Sequence, residues 1–359
     1  MNIMASTRSL TVAEWVGVGV AISKTILSTT VSALIGLFHG SNRPASYHRH
    51  VTFSFVRAFT SNLSPKALVA LSPSTDDGYR KFCTCIGLTP DTVTLEDGTR
   101  GHWIGDRSAD KVVLYFHGGG YAMCAVDGHF ELLWNVVQDA RRTGKSVSVL
   151  FLAYDVAVDA PYPRQLQQAA ALLDYLHHTL NRPLSEILLV GDSAGGNLVL
   201  ALLSHILHPH PKVARLSATG QFAGAALLSP WVTFNTTDSK SMKVNKNLDT
   251  LAIPVLNSWS KLFQGDAPTD YYLEPLSAPL QWWNDLPVKD VLVSAGGEEI
   301  FVDDIDSMTT RLRSGNVKTT LVIGRGEAHD HAVMEFGLKE PQSQQRAAFQ
   351  EWICARLQD

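Results

Sequence analysis

Residues 189–197 read LVGDSAGGN, an apolar run that stops in Gly191-Asp192-Ser193-Ala194-Gly195 and passes into a helical pattern up to Leu207. Ile187–Val190 is continuously apolar rather than alternating, which marks a strand buried on both faces. A serine between such a strand and a helix, with glycine two places to either side, sits in a bend that only small neighbours tolerate. The turn lifts the Ser193 hydroxyl above the sheet edge at a helix N-terminus, where a nucleophile belongs. Taken alone, the pentapeptide also reads as a glycine-rich turn with a helix-capping serine.

A second motif narrows the choice. The earlier strand Lys111–Phe116 (KVVLYF) ends in His117-Gly118-Gly119-Gly120-Tyr121. A glycine run lets backbone amides turn toward one point without side-chain obstruction, as a tetrahedral oxyanion requires. Gly118, Gly119 and Ala194 are the expected donors. The Lys-Ser/Thr ending of a phosphate loop is absent.

The same rhythm runs through the rest of the chain. Val147–Ala153, Ala225–Leu228, Asp290–Ser294 and Thr319–Ile323 are further continuous apolar strands, and His129–Arg142, Arg164–Leu180, Gly195–Leu207, Asp303–Arg313 and Gln342–Leu357 carry apolar residues at helical spacing. Strand and helix alternate, so the class is α/β, with a mostly parallel central sheet and helices on both faces. Residues 1–90 and the Trp/Pro/Asn-rich stretch of about 233–285 fall outside the rhythm. They are expected to contribute a helical cap over a catalytic domain spanning residues 91–359.

Composition excludes several classes. With 359 residues and 45% hydrophobic content the chain has a large core to bury, and 30 Lys+Arg against 34 Asp+Glu, net −4, leaves no basic run for a nucleic-acid backbone. The four cysteines (Cys83, Cys85, Cys124, Cys354) are too scattered for a disulfide framework, and Cys83-Thr84-Cys85 lacks the spacer of a zinc or redox pair. Reduced thiols are expected. Residues 16–38 are strongly apolar but interrupted by Lys24, so three readings stand: a helix packed on the globular body, a membrane-associating helix, or a signal segment preceded by Arg8. Oligomeric state and compartment are left open.

HGGGY and GDSAGG together resemble the hormone-sensitive-lipase-like branch of the α/β-hydrolase family. The likeness covers roughly residues 90–357. Tyr154 with Ala160-Pro161-Tyr162-Pro163, and Ser229-Pro230-Trp231, match further family segments, although Asp155-Val-Ala-Val-Asp159 departs from the family pattern. More narrowly, RPASYHRH at 43–50 and GHWIGD at 101–106 are similar to fungal hydrolases encoded with natural-product pathways.

The resemblance implies an α/β-hydrolase fold and a triad in the order Ser, acid, His, each after a late strand. It places Glu299 as the acid, with Glu298 and Asp303 as rivals, and His329 as the base, with His331 as the lesser alternative. The implied chemistry is acyl transfer to Ser193 and release by water, without metal or organic cofactor. The substrate would be a medium-sized apolar ester, an acetate ester or a lactone. Two other functions stay open: acyl transfer or non-hydrolytic cyclisation or elimination on the same site, and non-catalytic reception of a small molecule, against which the complete triad argues. Trp231, Phe234, Trp259, Trp282 and Trp283 are candidates for an apolar pocket, and Cys124 lies close to the glycine motif. His117 is expected to anchor the glycine loop, and Asp192 to shape the serine turn.

Overall fold

The computed structural model describes residues 9–38, 43–217 and 219–357. The strands are β1 (Thr92–Thr94), β2 (Arg100–Ile104), β3 (Lys111–Phe116), β4 (Val147–Ala153), β5 (Ile187–Asp192), β6 (Gly224–Leu228), β7 (Val291–Gly296) and β8 (Thr319–Gly324). They form one sheet in the order β1-β2-β4-β3-β5-β6-β7-β8, parallel from β4 onward and antiparallel at the β1–β2 and β2–β4 pairings. Two apolar cores, one on each face, explain why the parallel strands read as unbroken hydrophobic runs.

Register decides what meets at the carboxyl edge. Phe116 lies beside Gly191, Asp192 beside Leu228, and Gly296 beside Gly324. The loops after β3, β5, β7 and β8 therefore emerge as neighbours, the usual place for a ligand in an open α/β sheet.

The helices that matter for the site are α1 (Val12–Gly36), α2 (Tyr47–Asn62), α3 (Pro65–Leu71), α4 (Thr75–Ile86), α5 (Asp127–Arg142), α6 (Arg164–Asp174), α7 (Ala194–Leu207), α8 (Lys240–Val244), α9 (Ile253–Gln264), α10 (Val302–Ser314), α11 (His331–Leu338) and α12 (Gln344–Arg356). Three expectations change. The helix expected over Arg164–Leu180 stops at Asp174 and continues as a π turn, Tyr175–Thr179. The final helix begins at Gln344 rather than Gln342, and α11 precedes it, closed by Lys339 in the left-handed region and followed by Pro341. Finally, β1 and β2 add an antiparallel edge; β2 reads RGHWI, whose mixed composition carries no strand period.

Helix α1 packs on α2 along a narrow seam of small and polar residues. Val18, Ala21 and Thr25 are buried in it, Ser32 Oγ and Ser54 Oγ lie 2.8 Å apart, and the Tyr47 hydroxyl donates to the Ala33 carbonyl at 3.0 Å. The rest of α1 is bare. Trp15, Val16, Val20, Ile26, Leu27, Leu34 and Ile35 are exposed, and the helix is long and apolar enough to cross a membrane. Arg8 lies outside the described residues.

Candidate active site

The serine turn is built as strongly as the sequence implies. Ser193 has φ 49° and ψ −115°, and a side chain at Gly195 would place a Cβ 1.9 Å from the Phe116 carbonyl. Only glycine lets the first turn of α7 pass that close to β3. The Ser193 N–H donates to the Leu228 carbonyl at 2.8 Å and its carbonyl accepts from Trp231 N at 2.9 Å, which pins the bend to the neighbouring strand.

His329, from the loop after β8, sets Nε2 2.9 Å from Ser193 Oγ. On its other side, Nδ1 lies 3.9 Å from Glu299 Oε2, and among the described residues neither Nδ1 nor Glu299 Oε1 has a hydrogen-bond partner. Both residues are buried. The gap is too long for a hydrogen bond, though such contacts often tighten only when substrate is bound. Glu299 is held in place by the Ser229 hydroxyl, which donates to Oε2 at 2.6 Å, and by Gly296 N at 2.9 Å. Ser229 Oγ also accepts from Asp330 N at 3.2 Å, so the Ser-Pro-Trp segment links the acid loop to the histidine loop.

The rival residues are engaged elsewhere. Asp303 accepts from Ser241 N at 2.7 Å, and Glu298 is tied through its backbone to Glu327 O at 2.8 Å. His331 Nε2 lies 3.0 Å from Arg49 and 3.1 Å from Glu340, away from the serine.

The expected donor set needs a correction at Gly118. Its amide donates to Asp192 Oδ2 at 2.9 Å, and an N–H so engaged by a carboxylate is not offered to an oxyanion. Gly119 and Gly120, whose amides bond to no acceptor among the described residues, line the cavity beside Ser193 instead. Ala194 is the first residue of α7, so its N–H has no intrahelical acceptor.

Asp192 does more than shape the turn. Besides Gly118 N it accepts from the Tyr115 hydroxyl and from His129 Nε2 at 3.0 Å, tying β3, β5 and α5 together beneath the nucleophile. Burial opposes a charge on His129, yet the Asp192 carboxylate lifts its pKa above the ordinary value. His117 behaves oppositely. Burial first, then His129, lowers it to about 3, so it is neutral; its Nδ1–H donates to the Gly118 carbonyl at 2.7 Å while its ring stacks on Tyr154 at 4.1 Å. The Tyr154 hydroxyl donates to the His117 carbonyl at 2.9 Å, fixing the glycine loop from below.

Two contributors were missed in the sequence. Asp249 is wholly buried and accepts from His329 N at 3.0 Å, Ile300 N at 2.8 Å and Thr250 N at 2.6 Å, so one carboxylate positions both the acid loop and the histidine loop. Arg57 on α2 donates to the Asp249 carbonyl. The other contributor is Asp330, whose Oδ2 lies 3.1 Å from His329 Nε2. Asp249 stands in the irregular stretch before α9, where no period marks it.

Ser193 and His329 open into a cavity of about 310 Å³. Phe55, Phe59, Met123, Leu251, Val255 and Trp259 give it an apolar wall. Of the aromatic residues expected there, Trp231 and Trp259 line it; Phe234 packs behind Trp231 at 4.7 Å, Trp283 is in the core, and Trp282 stacks on His208 at 3.8 Å. Cys124 lines the cavity, and none of the four cysteines is in a disulfide. Among the described residues no group of three or more His, Cys, Asp or Glu side chains is arranged to hold a metal ion.

Comparison with known proteins agrees with this arrangement. A family model described as alpha/beta hydrolase fold matches residues 113–333. An esterase of Acinetobacter venetianus is 29% identical over 263 residues, 72% of this chain and 78% of its own length. Steryl acetyl hydrolase 1 of Saccharomyces cerevisiae is 25% identical over 209 residues, 54% of this chain but only 46% of the yeast protein, so the matched region spans about half of that relative. A crystallised esterase of the bacterial hormone-sensitive lipase family superposes with a TM-score of 0.63 at 25% identity, covering 87% of this chain and 99% of its own. With the strained serine, the glycine loop and the late-strand histidine in one cavity, the chain belongs to the alpha/beta-hydrolase fold family, in its hormone-sensitive-lipase-like branch.

Proposed function

We propose that the protein is a serine esterase that cleaves short-acyl esters, acetates above all, of bulky apolar alcohols. The observation that carries the reading is the 2.9 Å contact between Ser193 Oγ and His329 Nε2 at the floor of an apolar cavity. His329 takes the Ser193 proton, Ser193 attacks the ester carbonyl, and the amides of Gly119, Gly120 and Ala194 hold the oxyanion. Glu299 steadies the imidazolium that forms. Water then releases the acyl group. At about 310 Å³ the cavity is at the small end of ligand pockets, which suits one bulky apolar group beside a small one. The yeast relative's acetyl-hydrolase name points the same way. The assignment to a natural-product pathway rests on the RPASYHRH and GHWIGD segments alone.

The test is hydrolysis of p-nitrophenyl esters from acetate to decanoate, with intact mass after fluorophosphonate treatment. Turnover highest for the short acyl chains, together with a single adduct, is the expected result. An adduct without turnover moves the reading to acyl transfer or cyclisation, and neither signal removes the enzyme reading.

The bare face of α1 supports a membrane-associating role for this helix, with Lys24 reaching the headgroups along its apolar stem. The full chain is expected to float with phosphatidylcholine vesicles, and the exposed-site double variant Val16→Lys/Leu27→Lys is expected to stay behind while hydrolysing p-nitrophenyl acetate at the unaltered rate. Equal flotation of both proteins would reject the role.

A further inference from the structure

His329 Nε2 has one hydrogen-bond partner and one close charged neighbour. Ser193 Oγ is 2.9 Å away and Asp330 Oδ2 is 3.1 Å away, on an atom that offers one lone pair or one proton. The second contact is unusual for a base, because a carboxylate beside Nε2 favours keeping a proton there. Asp330 lines the catalytic cavity, and its Oδ1 is buried without a partner. Its backbone is held in the left-handed region at φ 50°, and its N–H donates to Ser229 Oγ. The carboxylate is thus presented to the imidazole by a fixed turn rather than by a free rotamer of a surface loop.

The other charged and titratable groups around the pair face different atoms. Glu299, in the loop after β7, lies on the Nδ1 side at 3.9 Å. Asp249, ahead of α9, bonds the His329 backbone amide, and Arg57 of α2 bonds Asp249. Asp192 at the end of β5 is bonded by His129 of α5 and Tyr115 of β3. Among the described residues, Asp330 is the carboxylate within hydrogen-bond reach of Nε2.

We propose that Asp330 is a positioning residue whose charge beside Nε2 of His329 holds the proton on the base and so keeps its lone pair from Ser193 until the pH rises far enough to remove that proton. The proposal rests on the serine-esterase reading above. In the resting form the imidazolium keeps its Nε2 proton, favoured by the charge of the Asp330 carboxylate 3.1 Å away. Loss of that proton to water frees the Nε2 lone pair for the Ser193 O–H, and the catalytic cycle then runs with Asp330 unchanged. The electrostatics agree. Burial raises the Asp330 carboxyl, and the facing His329 opposes that rise. Burial disfavours the His329 imidazolium, but Asp330 first and Glu299 second raise it well above the ordinary histidine value.

The sign follows from the charge. Asp330 stabilises the imidazolium, so it displaces the acid limb of activity upward, and removing its charge moves the limb down. Asn fits the left-handed backbone and preserves the N–H bond to Ser229. The experiment measures the rate of fluorophosphonate labelling of Ser193 by intact mass from pH 5 to pH 10, for wild type, Asp330→Asn and Asp330→Gly, with Ser193→Ala as blank, alongside kcat/KM for p-nitrophenyl acetate. The expected result is an acid limb moved down by about one pH unit or more in both variants, a gain of about tenfold below the wild-type limb, read as a shift of the midpoint whatever the height of the alkaline plateau. A lower plateau with an unmoved midpoint assigns Asp330 a merely structural role and overturns the proposal. Should the Asn variant not fold, the Gly variant decides alone. Wild type that labels at no pH overturns the esterase reading and this inference together, a result distinct from labelling with an unmoved limb.

Discussion

Ser193→Ala is expected to lower hydrolysis of p-nitrophenyl acetate by about 10⁴-fold or more and to abolish the fluorophosphonate adduct, leaving the melting temperature close to wild type. The size of the effect comes from the mechanism, since without the hydroxyl there is no acyl-enzyme and only binding and oxyanion contacts remain. The mild effect on folding comes from the site. The Ser193 backbone, not its side chain, makes the bonds to Leu228 and Trp231 that hold the turn, and alanine is small enough for the bend. An active Ser193→Ala protein would disqualify Ser193 as nucleophile.

Glu299→Gln is expected to cost about 10³- to 10⁴-fold in kcat, with KM little changed. The amide keeps the shape and its carbonyl still accepts from Ser229 and Gly296, so the loop stays in place. What disappears is the negative charge that stabilises the imidazolium as it forms on attack. The same change tests the acid assignment against Asp249, which also approaches the histidine loop but accepts three backbone amides. Kinetics and thermal melting of Glu299→Gln and Asp249→Asn separate the two. Loss of activity at full stability belongs to the triad acid, and loss of stability belongs to the residue that organises the loops. A Glu299→Gln enzyme with more than about a tenth of wild-type kcat would hand the acid role elsewhere.

The serine turn and the glycine loop were legible because each is a local event. Gly191, Gly195 and Gly196 mark a bend whose close contacts admit no side chain, and the continuous apolar strand before it marks a buried parallel sheet. Glu299 and His329 were legible once their strands were read, because chain order along a doubly wound sheet dictates which loops follow which. By contrast, the division of labour among the three glycines was not. HGGG reads the same whichever amides face the site, and Gly118 is withdrawn only because Asp192 stands across from it through the β3–β5 register.

The sequence by itself therefore determined the α/β sheet, the serine turn and the family, since strand period and glycine geometry are properties of short segments. Tertiary structure alone decided that the Gly118 amide is engaged by Asp192, that Asp249 ties together two loops far from it in the chain, and that an Asp330 carboxylate oxygen lies 3.1 Å from His329 Nε2. Those are distances between side chains brought together by packing, and no spacing along the chain encodes them. Helix α1 belongs to both: its apolar run is plain in the sequence, while the narrow seam against α2, which leaves most of that run exposed, is decided by packing.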